Sequence, residues 1–177
     1  MNKTAQTELH RLYLIDHLPE PLTTASSHLQ IFDNYLPNTR LRLRKMRNPH
    51  TGEWTRILQQ RFPVAEGEYG VNKLAEIYLN ECEYAVFEQF EGREVRKNRY
   101  FHEYDNMSVV FDVYLGPPMG LTTAKFVFDD LGKMDAFVAP PFASIDITED
   151  PFFLGENLVR VTADDIRAKL LGAAELS

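Results

Sequence analysis

Hydrophobic and polar positions alternate along most of this chain, as a half-buried strand requires, because successive side chains leave a strand on opposite faces. Residues 8–16 place Leu9, Arg11, Tyr13 and Ile15 on one side and Glu8, His10, Leu12 and Leu14 on the other. Pro19 and Pro21 stop this strand, and a short helical turn is expected over 22–26. Residues 28–36 read as a second strand, and Pro37-Asn38 turns it into a third over 38–47. The turn-forming segment 48–53, with Asn48, Pro49 and Gly52, folds 38–47 onto 54–62 as a hairpin. Gly67 and Gly70 precede a strand over 72–79. Helical spacing replaces alternation over 81–90, directing Tyr84, Phe87 and Phe90 toward a core, with Gly92 as the stop. A meander follows over 94–104, 108–115 and 121–128. A short helix capped by Asp129 or Asp130 is expected over 129–138, and a last strand over 144–148. A terminal helix spans 162–173, with Thr162 as N-cap and Asp165 at the third helical position. Strands that follow one another without long crossover helices pair antiparallel, so the fold class is α+β or a closed barrel.

Composition narrows the function more than the fold. A chain of 177 residues is expected to form one domain, 1–177, with its core over about 8–158. Its net charge is -7 and its pI about 5.2, which argues against general nucleic-acid binding. The single cysteine, Cys82, excludes an intramolecular disulfide and a multi-cysteine metal cage, and its neighbours Leu79, Tyr84 and Val86 suggest a buried or half-buried structural thiol. The polar start over 1–7 lacks the apolar segment of a signal peptide, and no apolar run approaches the roughly 20 residues that span a bilayer. These features predict a cytoplasmic protein with no membrane association.

The one concentrated chemical signal is the run Thr39-Arg40-Leu41-Arg42-Leu43-Arg44-Lys45. Alternation puts Arg40, Arg42 and Arg44 on one face at a spacing of about 7 Å, with Leu41 and Leu43 on the other. Such a row can grip consecutive phosphates or carboxylates through fixed guanidinium forks. It can equally be the solvated face of a half-buried strand. On an acidic chain, it suits a small anion better than a duplex.

The order of several separated elements resembles the CYTH superfamily, the triphosphate tunnel metalloenzymes. The arginine strand is similar to the family's basic strand, and Arg96-Lys97-Asn98-Arg99-Tyr100 to its Lys-x-Arg-Tyr element. Phe111-Asp112-Val113-Tyr114-Leu115-Gly116, followed by Gly120-Leu121-Thr122-Thr123-Ala124, is similar to a third signature. The stretch 137–142 with Asp146-Ile147-Thr148-Glu149-Asp150 is similar to the family's closing motif. The resemblance implies an eight-stranded closed antiparallel barrel whose lumen binds a triphosphate. It also implies basic side chains on the phosphate oxygens, acidic side chains on divalent metal, and cleavage or cyclisation of triphosphate compounds by positioning and electrostatics.

Carried over by position, the basic half is kept: Arg40, Arg42, Arg44, Arg61, Lys97 and Arg99 are the implied phosphate contacts. The acidic half is not. The family's opening Glu-x-Glu-x-Lys stands here as Glu8, His10 and Leu12, and its Ala-Glu-x-Glu as Ala124-Lys125-Phe126-Val127. Asp146 keeps an acidic group in the closing motif. Lys125 would repel a metal and attract phosphate directly, so it joins the expected anion contacts. Glu8, Glu76 and Asp112 are left as the expected ligands for one Mg²⁺ or Mn²⁺ at most. His10 is either a metal ligand or a hydrogen-bonded strand histidine.

Three functions follow as expectations. The first is a domain that binds a triphosphate, polyphosphate or nucleotide in a basic lumen with little or no catalysis. The second is a metal-dependent triphosphate hydrolase acting on tripolyphosphate or an organic triphosphate through a rearranged site. The third is a structural scaffold whose arginines sit in internal ion pairs. Trp54 either stacks on a base or anchors the hairpin end, and the terminal helix either covers a barrel end or joins two copies in a homodimer.

Overall fold

The computed structural model describes residues 5–90 and 92–174; residues 1–4 of the polar start lie outside it. Eight strands form the wall: β1 (Gln6–Leu14), β2 (Leu29–Tyr35), β3 (Leu41–Arg47), β4 (Trp54–Pro63), β5 (Val71–Leu79), β6 (Arg93–Tyr104), β7 (Met107–Leu115) and β8 (Thr122–Phe128). They are ordered β5-β4-β3-β2-β6-β7-β8-β1, and pairing of β5 with β1 closes the barrel. Every described pairing is antiparallel. The β6–β7 turn uses the left-handed backbone of Asp105 and Asn106 (φ 48° and 61°), which short polar side chains tolerate.

Closing the sheet gives each strand an inner and an outer face, and the sequence assigns opposite chemistry to them. The outer faces of β1, β6, β7 and β8 are apolar, with Leu9, Tyr13, Tyr100, Phe111 and Phe126 buried. They are covered from outside by α2 (Leu131–Asp135) and the segment after it. Met134, Phe137 and Phe142 pack there, with the Phe126 and Phe137 rings 4.7 Å apart. The inner faces carry charge. This inversion is possible only because strands wrap the charges and a separate layer dries the outside.

One end of the lumen is stoppered by the segment 151–174. A 3₁₀ turn (Pro151–Phe153), α3 (Gly155–Leu158) and α4 (Ala163–Ala174) bring Phe153, Leu158 and Ile166 onto Leu14, Val95, Tyr114 and Leu121. The α4 start is set by a reciprocal cap: Asp165 N–H donates to Thr162 Oγ1 at 3.2 Å, and Thr162 N–H to Asp165 Oδ2 at 2.8 Å. The terminal helix therefore covers a barrel end.

Several local expectations are corrected. Residues 22–26 make hydrogen-bonded turns, Leu22 to Pro19 and Ser26 to Thr23, without a helix. The last strand shrinks to β9 (Ile145–Asp146) against β1, and the 129–138 helix to the five residues of α2 capped by Asp130. Helix α1 (Glu81–Glu88) ends before Phe90, which stays 56% exposed, and buries only Tyr84. Cys82 is exposed rather than buried, because it lies two residues from Tyr84 and so points away from the packed face. Trp54 packs against Phe32 at the hairpin end, ring centres 5.9 Å apart.

Candidate functional site

The β3–β4 hairpin sets the first wall of the site. Its register puts Arg42 opposite Gln59 and Arg44 opposite Ile57, so both arginines face inward. Arg40 precedes β3 and does not join them: it is exposed, with its guanidinium 4.1 Å from the Phe62 ring centre at the barrel mouth. The expected row of three is thus a pair inside and one outside, because the strand starts at Leu41. Arg61 enters from the end of β4, Lys97 and Arg99 from β6, and Lys125 from β8. Together Arg42, Arg44, Arg61, Lys97, Arg99 and Lys125 line one cavity of about 220 Å³.

Each cation has a specific partner. Asp112 takes Arg99 through both oxygens at 2.7 Å and Lys97 Nζ at 2.7 Å. Glu8 accepts from Lys125 at 3.0 Å and from Arg61 at 2.8 Å. Glu76 accepts from the Gln59 amide, which in turn accepts from Arg42. A fourth carboxylate, Asp33 on β2, was not singled out in the sequence. It is fully enclosed, holds Arg44 through two hydrogen bonds of 2.6 and 2.7 Å, and lies 3.4 Å from Arg42. The available signal was alternation: Ile31, Asp33 and Tyr35 share the inward face. Tyr35 also belongs to the site, its hydroxyl accepting from Arg42 at 3.0 Å.

Six cations face five carboxylates: Glu8, Glu76, Asp112 and Asp150 line the cavity and Asp33 backs it, which leaves an excess of one positive charge, while Asp150 also reaches Lys169 at 2.7 Å. Burial works against every charge here, and the pairing decides the outcome. Burial alone would raise the Asp33, Asp112 and Glu8 carboxyls, yet their cationic neighbours hold all three well below the usual range. Burial pushes the Lys97 ammonium down to about 7 and that of Lys125 down to about 8, with Arg99 and Arg61 respectively adding repulsion. Burial followed by Lys125 and Arg61 lowers His10 to about 3, so it is neutral. Its Nε2 lies 3.4 Å from Arg61 Nη2, while its Nδ1 and the Arg61 Nε are buried without a hydrogen-bond partner. A ligand or ordered water reaching this corner would satisfy two orphaned atoms at once.

The expected metal ligands behave differently. Glu8, Glu76 and Asp112 all reach the cavity, but each is committed to a cation or an amide. Among the described residues, no three of His, Cys, Asp and Glu converge as a metal-holding group. A hard divalent cation needs free carboxylate oxygens, and the Lys125 ammonium sits on Glu8 where such an ion would have to compete. As paired here, Glu8, Glu76 and Asp112 present no free set of carboxylate oxygens to a metal ion. Asp146 lies outside the lumen, paired with Arg11 at 3.1 Å and bonded to Thr148.

Solved structures share this architecture. A crystal structure of the hypothetical protein NE1496 is 21% identical, covers 88% of this chain and 99% of that one, and has a TM-score of 0.58. A second, of the inorganic triphosphatase NE1496, covers 86% and 97% at the same 21% identity, with a TM-score of 0.56. The PH1819 protein of Pyrococcus horikoshii OT3 is 15% identical, covers 72% and 82%, and has a TM-score of 0.51. No family profile and no curated protein sequence matches the chain. The closed barrel and these likenesses show a CYTH-like fold.

Proposed function

We propose that the lumen binds the phosphoryl chain of a triphosphate, as inorganic polyphosphate or as part of a nucleotide, with little or no hydrolysis. The observation that carries this reading is the convergence of six cations on one small cavity, where they outnumber the carboxylates by one. Phosphate oxygens fit the guanidinium donors that Arg61 and Arg99 keep beyond Glu8 and Asp112, and the point charges of Lys97 and Lys125. A volume of about 220 Å³ lies below the roughly 300–1,000 Å³ of drug-sized pockets, so the lumen suits a compact anion and would leave a nucleoside outside. Support also comes from the fold, which the inorganic triphosphatase NE1496 shares.

Calorimetric titration with tripolyphosphate in the presence of chelator tests this reading. Saturable binding is expected, weakened tenfold or more by Arg42→Ala or Lys125→Ala, since a hydrogen bond to a charged group contributes about 1.5–3 kcal/mol. No heat in a folded protein would leave the scaffold reading, in which the ion pairs serve only the barrel.

The shared fold with a triphosphatase favours hydrolysis as a second reading, with Glu8, Glu76 and Asp112 holding one Mg²⁺ or Mn²⁺. Asp112 would first have to leave Arg99 and Lys97. Metal-stimulated phosphate release that Asp112→Asn abolishes would establish this reading; unchanged release in the variant would remove Asp112 from it. Within the described residues no helix is long and apolar enough to cross a membrane.

A further inference from the structure

The cation-lined cavity continues outward. Arg42, Arg61 and Gly155 also border a second space of about 220 Å³. Tyr35, Thr39 and Arg40 carry that space into a surface groove of about 860 Å³, which Arg93 and Arg160 line as well. The path leaves beside α3, whose Glu156 and Asn157 line both outer spaces. Gly155 packs directly on Tyr35 at this point, where a Cβ would overlap the tyrosine hydroxyl.

Arg40, Arg93 and Arg160 are all exposed, and among the described residues none of them joins an ion pair. The groove holds one carboxylate, Glu156, against the three guanidiniums. On a chain of net charge -7, solvated faces should be acidic on average, so this patch runs against the surrounding field. It also extends the inner row of cations in one direction, from Arg42 and Arg61 through Arg40 to Arg93 and Arg160. A rigid anion that ended inside the lumen would leave these outer guanidiniums without a role.

Resting on the phosphate-binding reading of the lumen, we propose that the ligand is a linear polyphosphate longer than the lumen. Its end lies among the inner cations and its continuing chain follows Arg40, Arg93 and Arg160. A single-stranded nucleic acid would follow the same charges, but sites for it add aromatic faces on which bases stack. Along the path Tyr35 is engaged by Arg42 through its hydroxyl and Phe62 is covered by Arg40, which leaves Tyr69, among the described residues, as the one ring for a base. A bare phosphate chain asks for nothing more than the guanidiniums supply.

The test compares affinities for tripolyphosphate and for long-chain polyphosphate in the wild type and in the triple variant Arg40→Ala, Arg93→Ala, Arg160→Ala, with thermal midpoints to confirm folding. The wild type should hold the long chain about tenfold or more tighter, equivalent to about 1.4 kcal/mol. The variant should lose most of that preference while keeping its tripolyphosphate affinity within about twofold, because exposed charges act weakly at a distance. Equal wild-type affinities, a preference that survives in the variant, or loss of tripolyphosphate binding in a folded variant would each overturn the outer track. Tighter binding of a 5′-triphosphorylated RNA than of polyphosphate would overturn the ligand class. Failure of the wild type to bind either phosphate would instead bring down the lumen reading itself.

Discussion

Asp33 and Lys125 show how single residues set the character of the lumen. Asp33 is 1% exposed on its side chain and carries Arg44 and part of Arg42. Removing one partner of such a pair leaves a buried charge unanswered, so Asp33→Asn should destabilise the fold by about 3–5 kcal/mol in urea unfolding. A loss under about 1 kcal/mol would show that the pair is screened. The same group makes stability depend on acid. Its folded pKa lies below its unfolded value of about 3.9, so the unfolded chain takes up the proton first as pH falls. Stability is therefore fully present near neutrality and drains away below about pH 4. Asp33→Asn should flatten that decline; an unchanged slope would assign acid sensitivity to Asp112 and Glu8 instead. Lys125, by contrast, acts through position, an ammonium 3.0 Å from Glu8 in the inner wall.

Among the elements, the stopper depends on close fits. Ile166 of α4 is 1% exposed against the end of the lumen, and Ile166→Ala should cost about 2–5 kcal/mol if α4 docks as described. A loss near zero would mean that α4 is dispensable to the barrel end. Gly155 faces Tyr35 so closely that Gly155→Ala must displace the tyrosine, and with it a hydrogen bond to Arg42. The variant should lose stability by about 1–3 kcal/mol and bind tripolyphosphate more weakly. In a Tyr35→Phe background the stability loss should shrink, and full additivity would contradict the contact. These fits were not legible in the sequence, whose patterns report local period and not which turn meets which ring. Strands and the hairpin were legible because alternation is a local property, enforced wherever one face is charged and the other dry. Arg40 was misplaced for the converse reason: alternation runs on past the point where a strand begins. Asp33 went unnoticed because a lone acid in an apolar strand looks like a solvated position until its neighbours are known.

For the molecule as a whole, the barrel was legible through the order of its segments, and its opposite faces follow from closing the sheet. Less legible was the state of its acidic residues. Glu8, Glu76 and Asp112 line the inner wall, but their availability depends on side chains from other strands, and those have claimed them. In the proposed function, cations of the chain itself hold the polyanion. Tripolyphosphate affinity, measured by calorimetry with magnesium and again with chelator, tests it most directly. The two affinities should agree within about threefold, roughly 0.7 kcal/mol, and Lys125→Glu should weaken metal-free binding strongly. Binding that appears only with magnesium and is indifferent to Lys125→Glu would contradict it.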